Sequence, residues 1–281
     1  MSNGVDLDPL YVAARRVLLD ALVSLAPHGK AIIVVGAQAV YLRTGLNDVA
    51  IAVAPYTTDG DLALDPALLG DEPELEESMR EAGFTLDGPG SWLTVKRVGA
   101  QDVVVPVDLM VPEAASTGEG TRGARLGVHG KRAARRAVGL EAALVDHGPI
   151  AITALDPVDT REVTAEVAGV AALLVAKAHK IKDRVKAAKF DRISDKDASD
   201  VYRIMQTARP EDVAKALGDL LRDPIAGPVT EQALDYLKEL FGRRAGEGVV
   251  MAQRALRLAI DEAQIATLCV AFTEQILVTR A

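Results

Sequence analysis

The sequence predicts an α+β fold: a mixed sheet with helices over residues 1–160, followed by an all-helical domain over 161–281. Three observations carry that prediction. Short apolar runs rich in β-branched residues, such as AIIVV (31–35) and QDVVVPVDLMV (101–111), recur in the first part and read as strands. From about residue 160 apolar residues fall instead at helical spacing, as in TAEVAGVAALLVAKAHKIKDRVKAAK (164–189). Between the two lies the polar stretch ALDPVDTRE (154–162), the expected joint.

Residues 9–26 form the first helix, with Pro9 near its start and Gly29 just past its end. AIIVV (31–35) is a buried strand, and GAQAVYLRTG (36–45) is a short helix that starts tight against it. VAIAV (49–53) is a further strand, and the acidic turn APYTTDGDLALD (54–65) follows. EPELEESMREAG (72–83) is a helix, its acidic residues early and Gly83 at its stop, as the helix dipole favours. SWLTVKRV (91–98) and QDVVVPVDLMV (101–111) are strands joined by a tight turn. ARLGVHG (124–130) and IAITAL (150–155) read as shorter strands. Beyond the joint, helices are expected over 164–189, 194–208 with Ser194 as N-cap, 210–223, 230–242 and 249–279.

Apolar residues make up 49% of the 281, enough for a core, and aromatics only 4%, so Ala, Val, Leu and Ile must fill it. The net charge of −8 argues against a protein that coats nucleic acid non-specifically, while leaving room for a local basic site. The single cysteine, Cys269, allows neither an intrachain disulfide nor a cysteine metal cluster and reads as a buried thiol. The N-terminus lacks a signal-peptide pattern, and the longest apolar run, VAGVAALLVA (167–176), is too short for a bilayer. The expectation is a soluble, cytoplasmic protein with no membrane partner.

Asp59 and Asp61, two residues apart on a strand, project to one face, with Gly60 between them leaving room for close approach. Asp108 sits between Val and Leu on a strand that otherwise reads as core, where an isolated charge is costly. Three such carboxylates suit Mg²⁺ or Mn²⁺ and a phosphoryl displacement, although a D-x-D turn alone also fits a solvated loop. Asp65, next to Pro66, reads as a solvated strand end. Gly36 stands between strand and helix, where backbone N–H groups favour phosphate.

The order strand–GAQAVYLR–strand–TTDGDLAL–helix–strand–VDLMV resembles the nucleotidyltransferase superfamily with the polymerase-β-like fold. LLVAKAHKIKDRVKAAKFDRISDKDASDVYRI (173–204) resembles the later motifs of the AbiEii/MenT-type nucleotidyltransferase toxins, and the likeness covers roughly residues 30–205. It implies that Asp59, Asp61 and Asp108 bind the metal and act in catalysis. It also implies that Gly36 and the position of Ala37 meet the nucleotide, and Thr57 or Thr58 could supply the hydroxyl contact to phosphate that Ala37 lacks. Lys177 matches the helix lysine that faces triphosphate, Lys180 belongs to the same surface, and Lys196, Asp197 and Asp200 match K-D-x-x-D. The implied reaction transfers NMP from an NTP to RNA, a tRNA 3′ end, by a toxin opposed by a cognate antitoxin. Small-molecule or protein hydroxyls are alternative acceptors, and a degenerate, non-catalytic module is the rival of another class. The chain departs from the pattern at Ala37, where a hydroxyl residue is usual, at Gly60, and in the added NDVAIAVAPY (47–56).

Two segments concentrate basic charge. Lys177, Lys180, Lys182, Arg184, Lys186, Lys189 and Arg192 crowd 16 residues. Arg122, Arg125, Lys131, Arg132, Arg135 and Arg136 crowd TRGARLGVHGKRAARRA (121–137), which reads either as a solvated loop or as a track for an RNA backbone. No aromatic platform is interleaved, so recognition of single strands by stacking is not expected. His28, His129, His147 and His179 show no metal-ligand spacing.

Overall fold

The computed structural model describes residues 7–45, 57–116, 122–188 and 192–278. The strand expected over 49–53 lies outside the described residues. The chain forms two units, one of Met1–Leu42, Ala54–Ala137 and His147–Ala168, the other of Arg43–Val53, Val138–Asp146 and Gly169–Ala281.

The first unit is built on a mixed sheet. Helix α1 (Pro9–Ser24) begins where the Asp8 carboxylate accepts the Leu10 N–H, with Pro9 supplying a pre-set φ at the first helical position. Its Tyr11, Val17, Leu18, Leu19 and Leu22 are buried. Strand β1 (Ile32–Val35) is buried at every position and runs directly into helix α2 (Gly36–Thr44). Further along come β2 (Gly60–Leu64), helix α3 (Leu75–Glu81), β3 (Thr85–Gly88), β4 (Ser91–Val98) and β5 (Gln101–Pro112). Then follow β6 (Arg135–Ala137), β7 (His147–Thr153) and β8 (Glu162–Ala168).

The strand order is β3-β4-β5-β2-β1-β8-β7, with β6 alongside the end of β5. Strands β1–β2, β3–β4, β4–β5 and β7–β8 are antiparallel, while β1–β8, β2–β5 and β5–β6 are parallel. β4 lies along Gln101–Asp108 and β6 takes over from Met110. Gly90, at φ +73°, makes that handover possible: a Cβ there would fall 2.4 Å from the Arg135 amide nitrogen. Trp92 is wholly buried beneath this region, and its indole N–H donates to the Ala133 carbonyl at 2.9 Å.

Two sequence expectations fail here for physical reasons. Residues 124–130 are not a strand; they form a tight loop with a 3₁₀ turn at Gly127–His129, because Gly127 and Gly130 take positive φ. The polar stretch at 154–162 is not a joint between domains but the turn of the β7–β8 hairpin. Its Asp156 pairs with Arg16 at 2.6 Å, and Arg161 pairs with Asp159 at 2.7 Å and with Asp20 at 2.6 Å, so charge fastens the turn to α1. The sheet therefore continues to Ala168, eight residues past the expected boundary at 160.

The second unit is helical in its long segment: α4 (Val170–Lys186), α5 (Arg192–Thr207), α6 (Pro210–Arg222), α7 (Ala226–Phe241), α8 (Glu247–Leu256) and α9 (Glu262–Leu277). α4 is capped from afar: the Asp146 carboxylate accepts the Ala172 N–H at 2.9 Å, a favourable charge at a helix N-terminus. Gly169 must be glycine there, since a Cβ would fall 1.9 Å from Asp146 Oδ1. The helix expected over 249–279 is two, because the Asp261 carboxylate accepts the Ala263 and Gln264 N–H groups and starts α9 afresh. A well-packed core fills this unit, with Leu237, Phe241, Val249, Ile265 and Phe272 buried.

Candidate functional site

One end of the sheet in the first unit gathers the acidic residues. β1 ends at Val35, which stands opposite Asp61 in register, and Gly36 then turns into α2 at φ +68°. A Cβ at Gly36 would fall 2.0 Å from Asp61 Oδ2, so the Asp61 carboxylate occupies the space above a glycine. One strand further on, Asp61 is level with Asp108. Register partners in a sheet point to the same face, so these two carboxylates emerge side by side.

Asp59 stands just before β2. The Thr57 hydroxyl donates to its Oδ1, and the Gln38 side-chain amide donates to its backbone carbonyl at 3.3 Å. Gln38 is in turn held by Arg15, whose Nε donates to Gln38 Oε1 at 2.8 Å. The remaining Arg15 donors reach the Tyr11 hydroxyl at 3.0 Å and the Thr153 carbonyl at 3.1 Å. Burial pulls the guanidinium below its ordinary range, partly offset by Tyr11. Arg15 and Gln38 escaped the reading of the sequence. Their only signal is a polar residue set inside apolar stretches, in YVAARRVLL and GAQAV.

The nucleotide-facing expectations divide. Ala37 is buried in the first turn of α2, and Thr58 is half-buried beside Asp59. The Thr57 hydroxyl is fully buried and already given to Asp59, so it does not stand in for the hydroxyl that Ala37 lacks. Gly60 is not needed for close approach, because a Cβ there would meet Val107 and Leu18 at ordinary distances of 3.5 and 3.6 Å. The Asp65 carboxylate accepts the Ala67 N–H at 2.9 Å in the turn after β2.

The six basic residues of the 122–136 segment also divide. Arg135 Nη2 donates to Asp108 Oδ2 at 2.7 Å, and Arg136 Nη2 to Glu113 Oε1 at 2.7 Å. Arg122, Arg125, Lys131 and Arg132 are exposed.

In the second unit Lys177 is buried and bonded to Asp197 Oδ1 at 2.7 Å and to Asp200 Oδ2 at 2.6 Å. Lys180 and Arg184 approach Asp197 at 3.4 and 3.2 Å. Burial alone would push the Lys177 ammonium down, but Asp197 and Asp200 more than reverse this and hold it well above its usual range. Burial would likewise raise Asp197, and Lys177, Lys180 and Arg184 hold it far below instead. The K-D-x-x-D aspartates are thus the counter-ions of Lys177. Arg203, on the same helix, donates to the Thr44 hydroxyl at 2.8 Å and the Gly45 carbonyl at 2.7 Å.

Other reactive groups are engaged. Burial pushes the Cys269 thiol up to about 12, which leaves no thiolate nucleophile at neutral pH. His129 Nδ1 accepts the Leu75 N–H at 3.2 Å and its Nε2 donates to the Gly70 carbonyl at 2.7 Å, while His147 pairs with Glu166. His28 and His179 bond to the Pro73 and Val229 carbonyls.

Among the described residues, no three His, Cys, Asp or Glu side chains are gathered so as to hold a metal ion. No helix among them is long and apolar enough to cross a membrane. Fold and site define a mixed α+β chain with a carboxylate-bearing sheet end beside a glycine-started helix. No protein-family model, curated protein or solved structure matches it.

Proposed function

We propose that this chain is a metal-dependent nucleotidyltransferase of the polymerase-β-like type. It would transfer NMP from an NTP to an RNA hydroxyl, a tRNA 3′ end, and serve as a toxin opposed by an antitoxin. The single observation that carries the reading is the position of Asp61. Its carboxylate lies over Gly36 at the start of α2 and level with Asp108 on the neighbouring strand. That joins a helix N-terminus able to receive phosphate to a set of acidic oxygens.

The donor chemistry fits Mg²⁺ or Mn²⁺: hard carboxylate oxygens on neighbouring strands, at a place where glycine leaves room. Asp59, Asp61 and Asp108 would hold the ion, which when bound supplies neutralisation of polyphosphate charge and polarisation of the attacked phosphate. The chain's own residues do the rest. The absent Cβ at Gly36 makes room for the Asp61 carboxylate, and the first amides of α2 receive the phosphates beside it. Gln38, anchored by Arg15, fixes the backbone of Asp59. The acceptor oxygen bonds to the α-phosphorus, the α–β anhydride bond breaks, pyrophosphate leaves, and the acceptor proton passes to solvent. The exposed Arg122, Arg125, Lys131 and Arg132 support a polyanionic acceptor, since they put four positive charges on a chain of net −8.

The test is incubation of the chain with total tRNA, Mg²⁺ and each α-labelled NTP. Label should enter RNA with one pyrophosphate released per transfer, and Asp61→Asn should abolish it without unfolding the protein. Absence of transfer with all four NTPs would refute the reading. One observation favours the rival, a non-catalytic module: among the described residues no three carboxylates are gathered to hold a metal, with Asp108 held by Arg135. Under that rival no NTP with Mg²⁺ raises the melting temperature.

A further inference from the structure

We propose that Arg135 is a displaceable counter-cation for Asp108, holding that carboxylate until a divalent cation replaces it and then turning to the phosphates of the nucleotide. The proposal rests on the nucleotidyl-transfer reading above. Asp108 is the acidic residue that the register brings level with Asp61, yet its Oδ2 faces the Arg135 guanidinium at 2.7 Å. Among the described residues no three carboxylates are gathered, and Asp108 is occupied by this contact.

The pair has the properties of a latch rather than of a permanent tie. Its side chains are 23% and 26% exposed, so water competes for both partners and screens the pairing in part. The Lys177 cluster, at 5% or less for the lysine and both aspartates it bonds, is the contrasting permanent case. The Arg135 backbone, however, is fixed. It is paired with Met110 on β5, and Gly90 packs against its amide. Exchange therefore requires only a swing of one long side chain. A guanidinium released beside the acidic strand suits a polyphosphate, which it can meet with two parallel hydrogen bonds.

The experiment titrates the full chain with Mn²⁺ in the absence of nucleotide, following the free-ion EPR signal, for wild type, R135Q, D108N and the double variant. Loss of the competitor should tighten Mn²⁺ binding in R135Q by about twofold to fivefold. With Mn²⁺ saturating, the same variant should bind a non-hydrolysable NTP about tenfold more weakly. A merely structural arginine would not move the two affinities in opposite directions. In the D108N background R135Q should add nothing to Mn²⁺ affinity. Should R135Q fail to fold, the wild-type Arg135 side-chain N–H signal in NMR carries the test, and it must shift on Mg²⁺ addition. Unchanged or weaker Mn²⁺ binding by R135Q, or an Arg135 signal indifferent to Mg²⁺, overturns the latch while Mn²⁺ binding that depends on Asp59 and Asp61 leaves the transferase reading standing. No Mn²⁺ binding by either wild type or R135Q overturns both.

Discussion

Lys177→Met isolates the charge at the centre of the second unit. Methionine keeps nearly the same length and volume, so packing survives while the ammonium goes. The Lys177 side chain is 5% exposed, and Asp197 and Asp200 are 4% and 2% exposed. Lys180 and Arg184 remain beside Asp197, but Asp200 loses the cation bonded to it and is left as a buried charge. Removing one partner of a buried pair costs about 3–5 kcal/mol. At about 2–4 °C per kcal/mol for a chain of this size, the melting temperature should fall by about 6–20 °C. Far-UV circular dichroism follows the helices, and Trp92, the only tryptophan, reports separately on the first unit. Adding Asp200→Asn removes the stranded charge and should restore part of the loss. A Lys177→Met melt within about 2 °C of wild type would refute the argument that these charges are coupled in a dry interior. So would a double variant less stable than the single one.

Two further predictions follow from geometry. Gly36→Ala forces a left-handed φ on a residue with a Cβ, costing about 1–2 kcal/mol, and displaces the Asp61 carboxylate; a thermal melt should drop and Mn²⁺ affinity fall with it. Gly60→Ala, one strand away, should leave both nearly unchanged, because its Cβ has ordinary room. The Asp159 carboxyl is held down to about 2, chiefly by its hydrogen bond from Arg161. A depressed folded-state value means the pairing stabilises above the unfolded value of about 3.9 and is lost as pH falls towards 2. Acid titration of Arg161→Gln should therefore show a shallower loss of stability between about pH 4 and 2 than wild type shows.

Much of the site's backbone was legible in the sequence because it depends on local rules. Gly36 announces a strand that turns at once into a helix, and the structure puts it there with positive φ. Asp61 and Asp108 lie on apolar strands, and only the register, set by the hydrophobic pairing of β2 with β5, makes them neighbours. The domain boundary was not legible, since EVTAEVA (162–168) lies at the edge of a helical pattern and becomes strand only because β1 and β7 accept it as a partner. The buried Arg15–Gln38 support was invisible for a similar reason. Its value lies in contacts across 23 residues, and no local pattern encodes them.

Basic residues show most clearly what a sequence withholds. Two segments of equal-looking charge density become three different things in space. Lys177 is sealed into a dry cluster whose two carboxylates fix its geometry, so its charge serves packing. Arg122, Arg125, Lys131 and Arg132 stand in water, where a positive charge acts at a distance and its effect falls with salt. Arg135 lies between these limits, paired but wetted, on a rigid strand beside the acidic residues. A cation in water binds its carboxylate too loosely to serve the fold, and one in a dry interior holds it too tightly to exchange. The intermediate exposure of Arg135 and Asp108 is the condition under which an arginine can both protect a carboxylate and surrender it. This makes the measured sign of the R135Q effect on Mn²⁺ affinity a test of how burial sets the role of a charge.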